Sequence, residues 1–199
     1  VTMSREAEMR DLREAAERQG IEVFGEGNLN ARLLLVGEAP GKVEVERGRP
    51  FQGPAGRVLD ALLDRLAIPR DDLYVTNVVK TRPFVEAHPN RVNRAPRAGE
   101  IQAFTWILRR EIAIVQPRVI VCLGAVAAST LIHKNFAMKD EHGRWYPGPQ
   151  GSSILATYHP SYLLRLRGSN YEAARDECVA DLSRAWVMAQ STSRQSVAG

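Results

Sequence analysis

Glu38 stands in a turn, Gly37-Glu38-Ala39-Pro40-Gly41, that follows the apolar run Leu33–Val36. That run, bounded by Arg32 and Gly37, predicts a buried strand over about 32–36. In a parallel α/β sheet, ligands sit where strands end at their carboxyl edge. The turn therefore delivers a carboxylate, and glycines that permit close approach, to a ligand-binding edge. Arg49-Pro50-Phe51 sets an aromatic ring beside it, and Gly53-Pro54-Ala55-Gly56 leads into a helical pattern. Asn77 falls near the end of a β-branched stretch, DDLYVTNVV, and His159 directly follows SILATY. Glu38, Asn77 and His159 thus each close a different strand and should converge on one cleft. A carboxylate, an amide and an imidazole meeting there can carry hydrogen-bonding and acid–base chemistry.

Charge adds a second signal. The net charge is +4, and lysine occurs only at 42, 80, 134 and 139, so arginine makes up 23 of the 27 basic residues. Between Lys80 and Arg97 stand Lys80, Arg82, Arg91, Arg94 and Arg97 against Glu86, an excess of +4 within 18 residues. A basic stretch this concentrated is the footprint of a phosphate-binding surface. It also contains three prolines and is too long for a simple connector.

The elements that must position these groups can be read in order. A polar helix over 5–19 presents only Met9, Leu12, Ala15 and Ala16 on its apolar stripe. Val58, Leu59, Leu62, Leu63 and Leu66 predict a helix after Pro54 that ends at Ile68-Pro69. Strands are expected over 71–79, 118–123 and 153–158, and helices over 98–115, from Gly124 and over 171–188. Trp145 and Tyr146 suit a hairpin, and residues 190–199 have the composition of a disordered tail. Four strands alternating with helices predict an α/β fold, a three-layer α/β/α domain with a central four-stranded parallel sheet, over residues 1–199.

The bounds are plain. With 199 residues, 44% of them hydrophobic, the chain suits one compact domain. No apolar run is long enough for a membrane helix, and the charged N-terminus lacks a signal-peptide core. Only Cys122 and Cys178 occur, which points to a reducing, cytoplasmic setting and excludes a disulfide framework or a four-thiolate metal site.

Six segments resemble the uracil-DNA glycosylase superfamily and are most similar to its bacterial and archaeal family 4. They are Gly37-Glu38-Ala39-Pro40-Gly41, Gly48 to Gly56 (GRPFQGPAG), Thr76 to Pro83 (TNVVKTRP), Asn93-Arg94-Ala95-Pro96, Leu123 to Ala128 (LGAVAA), and His159 to Arg165 (HPSYLLR). They run in the family's order from about Phe24 to Arg165. The resemblance implies an enzyme that flips uracil out of DNA and cleaves its bond to deoxyribose in base excision repair. Family 4 proteins hold an iron–sulfur cluster on four cysteines. Here the N-terminal helix has none, Thr81 stands in the Lys-x-Arg-Pro motif, and Gln102-Ala103-Phe104 occupies the helix region. No cluster, no other cofactor and no metal are therefore expected. The segment between Arg82-Pro83 and Asn93 is longer than in family 4 and holds His88. A related group that traps uracil-DNA covalently uses a histidine in an elongated basic loop near this place, though Pro89 and Asn90 do not reproduce its surroundings.

Roles follow from the same resemblance. Asn77 would read uracil O4 and N3–H, Phe51 would stack on the ring, and Gly37 and Ala39 would complete the base site. His159 would donate to uracil O2 as charge builds there. Glu38 would orient water or stabilise the cationic sugar, with Glu44 a second carboxylate for that work. Leu163 or Leu164 would fill the gap left by the flipped base. Lys80, Arg82, Arg94, Ser161, Arg165 and the Gly53 amide would hold phosphates. The expected partner is uracil-containing DNA, with no membrane and a monomeric chain. Two readings stay beside this one: a uracil-DNA binding or trapping protein with little turnover, and a flavodoxin-like nucleotide-binding module.

Overall fold

The computed structural model describes residues 3–191. Helix α1 (Arg5–Glu17) starts at Ser4, whose hydroxyl accepts from the Ala7 amide, and buries Met9, Leu12 and Ala16. Short β1 (Glu26–Gly27) precedes β2 (Leu33–Gly37), α2 (Lys42–Arg47), α3 (Pro54–Arg65) and β3 (Leu73–Asn77). A hairpin of β4 (Phe84–Ala87) and β5 (Asn90–Asn93) follows, then α4 (Ala98–Val115), β6 (Val119–Leu123) and α5 (Ala125–Leu131). The chain continues through α6 (Met138–Glu141), β7 (Trp145–Pro147), β8 (Ser153–Thr157), α7 (Pro160–Leu163) and α8 (Gly168–Gln190). Since α8 runs to Gln190, the expected tail lies, from 192 on, outside the described residues.

The main sheet has six strands, ordered β1-β3-β2-β6-β8-β7, where four were expected. The four central strands are parallel, and the two extra ones are short antiparallel edges. β7 pairs with β8 as the hairpin expected around Trp145 and Tyr146. All five residues of each central strand are buried, as both-face coverage requires. Side chains alternate between two cores. Leu34, Val36, Ile120, Cys122 and Ile154 pack under α1, α4 and α5, while Leu33, Leu35, Val121 and Leu155 pack under α3 and α8. Each such leucine contributes about 1.5–3 kcal/mol by leaving water.

After β2 the chain moves to one side for β3, then crosses to the other side for β6. That reversal opens a crevice at the carboxyl ends of the strands, where ligands bind in sheets of this kind. The loops after β2, β3 and β8 line it, and Gly124 after β6 packs against His159. The basic stretch 80–97 is not a loop throughout. Most of it is the β4–β5 hairpin, with Val85 opposite Val92 and Phe84 opposite Asn93.

Candidate active site

A cavity of about 550 Å³ occupies the crevice. Of the predicted site residues, Glu38, Ala39, Glu44, Phe51, Asn77, Arg94, His159, Ser161, Leu164 and Arg165 line it. Gly37, Gly53, Lys80, Arg82 and Leu163 do not. The three strand-end groups therefore converge as the topology required.

His159 is oriented by its own loop. Its Nδ1 lies 3.1 Å from the Ser161 amide nitrogen and 2.8 Å from Ser161 Oγ. A backbone N–H only donates, so Nδ1 accepts and the neutral ring carries its proton on Nε2. Burial, reinforced by the Arg165 charge and opposed by Glu44, pushes the imidazole pKa down to about 4. At neutral pH the ring is thus an uncharged donor. Gly124, following β6, has a φ of 93° and lies where an added Cβ would sit 2.9 Å from His159 Cβ. Only glycine suits both demands.

Asn77 ends β3 and is 5% exposed, and the Phe51 ring stacks against His159 with centroids 6.0 Å apart. Gly37 lies beneath them: a Cβ there would collide with the Asn77 amide and the Phe51 ring. Its part is to let these two side chains approach, not to line the cavity as expected.

Glu38 is half-buried, and no hydrogen bond ties its carboxylate to the other described residues. Burial raises its pKa, against the pull of Arg165. Glu44 is the opposite case. It is 9% exposed and accepts from the amides of Gly41 (3.1 Å), Gln52 (3.0 Å) and Gly53 (2.7 Å). That carboxylate lines the cavity, and its hydrogen bonds fix the loops before α2 and α3. It equally takes up the Gly53 amide expected to bind phosphate.

Other expected phosphate ligands are also engaged. Lys80 is fully buried and ion-paired with Glu111 at 2.6 Å, with Thr76 also at 2.6 Å. It cannot reach DNA. Both Arg94 amino groups hold Glu100 at 2.7 Å, and this pulls the Glu100 pKa down to about 2. Arg82 bonds to Asn93 Oδ1 and the Arg91 carbonyl, bracing the hairpin base. Leu163 is 1% exposed and belongs to the core, whereas Leu164 is 42% exposed at the cavity mouth. His88 stands at the hairpin tip, four residues and so about 13 Å of strand beyond Phe84, whose partner Asn93 lines the cavity. Asn93, Pro83 and Ala95 line the cavity and were not singled out as site residues. Asn93 and Ala95 were signalled by the Asn93-Arg94-Ala95-Pro96 segment, of which only Arg94 has a role above, and Pro83 by the end of the Thr76–Pro83 segment.

Comparison with known proteins decides the family. A sequence model described as the uracil DNA glycosylase superfamily matches residues 24–183. The chain belongs to that superfamily. A Type-4 uracil-DNA glycosylase of Thermotoga maritima is 43% identical over 148 residues, 74% of this chain and 73% of its own. One from Pyrobaculum aerophilum is 40% identical over 156 residues, 73% and 76% of the two chains. A Type-5 uracil-DNA glycosylase of Thermus thermophilus is 34% identical over 154 residues, 70% and 68% of the two chains. Against family 4, the cysteines do not fit a cluster. Cys122 is buried in the core under α1, α4 and α5, and Cys178 in the core under α3 and α8. The sheet separates the two thiols. Among the described residues no group of three or more His, Cys, Asp or Glu could hold a metal, and no helix is long and apolar enough to cross a membrane.

Proposed function

We propose that this chain is a monofunctional uracil-DNA glycosylase that flips uracil from DNA and hydrolyses its N-glycosidic bond, leaving an abasic site. The observation that carries this reading is the meeting of Glu38, Asn77, Phe51 and His159 in one cavity of about 550 Å³. The superfamily and the relatives named uracil-DNA glycosylases support it.

The flipped base enters against the Phe51 ring. Asn77 Oδ1 accepts from uracil N3–H while its amide nitrogen donates to O4. Cytosine presents the reverse pattern at these atoms and leaves buried polar groups unpaired, at a cost of about 1–3 kcal/mol. As the bond from C1′ to N1 breaks, its electron pair stays on the base and negative charge reaches O2. The His159 Nε2–H donates to that oxygen as a neutral group, which matches its low pKa. The sugar becomes cationic, and the ionised Glu38 carboxylate, free of other hydrogen bonds, stabilises it and accepts from the incoming water. Water oxygen bonds to C1′, and its proton finally neutralises the uracil anion. No lysine lines the cavity to form a Schiff base, which favours hydrolysis.

Leu164 fills the vacated stack, and Arg165 meets the adjacent phosphate. The reading includes a cluster-free monomer acting in the cytoplasm as one domain. Its test is an alkaline-cleavage assay on a uracil-containing oligonucleotide with Asn77→Ala beside the wild type. Abasic product from the wild type, lost in the variant, is the expected outcome; equal product from both would overturn the assignment.

A further inference from the structure

A second groove, of about 450 Å³, lies between α3 and α8 on the far side of Leu164. Pro54 and Leu164 belong to its lining and to that of the catalytic cavity, so the two spaces share one wall. Three arginines reach it, Arg57 and Arg65 from α3 and Arg175 from α8, together with Tyr171, and no carboxylate lines it. Arg57 and Arg65 are exposed and make no ion pair with the other described residues. Eight residues of helix set them about 12 Å apart. The Arg175 guanidinium, held by Asp176, lies 5.8 Å from the Tyr171 ring centroid. Val58, Ala61 and Leu62 supply an apolar floor.

Unpaired arginines, an aromatic ring and an apolar floor are the parts of a site for single-stranded nucleic acid, where bases stack and phosphates meet guanidinium groups. Nothing in the uracil chemistry uses them. We propose that this groove binds the nucleotide next to the flipped uracil, on one side only. The neighbouring base is unstacked by Leu164 and settles against Tyr171 and Arg175, and its flanking phosphates meet Arg57 and Arg65. This inference rests on the glycosylase reading for its register, because Leu164 divides the target base from its neighbour. It makes the protein a reader of strand flank, with a preference for single-stranded or frayed DNA.

The test compares single-stranded oligonucleotides carrying one uracil, trimmed to a terminal nucleotide on either side or extended by three thymidines. In the wild type, extension on one side should raise kcat/KM by about tenfold. The double variant Arg57→Ala/Arg65→Ala should lose that gain yet cleave the trimmed substrate like the wild type, and Arg57→Lys/Arg65→Lys should restore part of it. Both variants are at exposed positions, and an unchanged Tm confirms folding. A gain that persists in the alanine variant, or no gain from either side, would overturn the groove. If no uracil oligonucleotide is cleaved at all, the glycosylase reading has failed. Fluorescence anisotropy with uracil-free oligothymidylate then judges the groove separately: weaker binding by the alanine variant supports it, and equal binding sinks it.

Discussion

His159 and Glu38 occupy one cavity, yet burial acts on them in opposite senses, suppressing the charge of each. For His159 this keeps the ring neutral down to about pH 4. For Glu38 it raises the pKa, so the ionised form that the proposed hydrolysis uses is the form the fold disfavours. The single-turnover rate should therefore fall on the acid side with an apparent pKa raised from that of an ordinary carboxylate, and this limb should vanish from the residual activity of Glu38→Gln. A limb that survives in that variant would move the titration to another group. The same variant bears on stability. A folded pKa above the unfolded one means that ionised Glu38 opposes folding at pH 7. Glu38→Gln should thus raise Tm at pH 7, and the gain should shrink as pH drops through the folded pKa, where the wild-type carboxyl is also neutral. His159→Ala should lower the single-turnover rate by about 10²–10³-fold, the usual cost of removing one donor to a developing oxyanion.

Helix α4 carries Glu111 on its buried face, at 0% exposure beside Ile107, Leu108 and Ile112. Glu111 accepts from Tyr74, Thr76, Lys80 and the Gly25 amide, and so ties the turn before β1, the strand β3 and its following loop to the helix. Removing one partner leaves the other charge buried alone. Lys80→Met should cost about 3–5 kcal/mol in urea unfolding, while Lys80→Met/Glu111→Leu should recover much of it. Neither change should alter the salt dependence of DNA binding, which would fall if Lys80 held a phosphate. Summing charge over the basic stretch sets only Glu86 against it, whereas Lys80 and Arg94 are paired with Glu111 and Glu100 from outside that stretch. One signal was available. A glutamate at position 111, among the apolar positions of an amphipathic helix, demands a buried cation. By contrast the central strands were legible because each is a continuous apolar run, and the ends of those runs located Glu38, Asn77 and His159. The edge strands are only two and three residues long, too short for any period to show.

Across the whole molecule, convergence at the crevice depends on strand order, which no single motif carries. A parallel sheet set the edge on which the groups would meet, and the structure adds what sequence could not: which of them are already occupied. Glu44, Gly53, Lys80 and Arg94 all look functional by type and spend their hydrogen bonds inside the fold. Under the proposed function, Leu164 and Arg165 are what the cavity mouth leaves for DNA. Arg165→Ala should weaken DNA binding at all sequences and reduce the slope of log K against log salt by about 1. Leu164→Ala should slow cleavage of paired uracil by about tenfold and affect single-stranded uracil less, since there is no pair to open. The measurement that bears most directly on the central claim is single-turnover cleavage of a uracil oligonucleotide, read on alkaline and on unheated denaturing gels. Wild type, Asn77→Ala, Glu38→Gln and His88→Ala are compared. Alkali-labile product from the wild type and from His88→Ala, with strong loss in the other two, is expected. A protein–DNA band that survives denaturation and disappears in His88→Ala would contradict hydrolytic turnover at this cavity and make the chain a covalent trap.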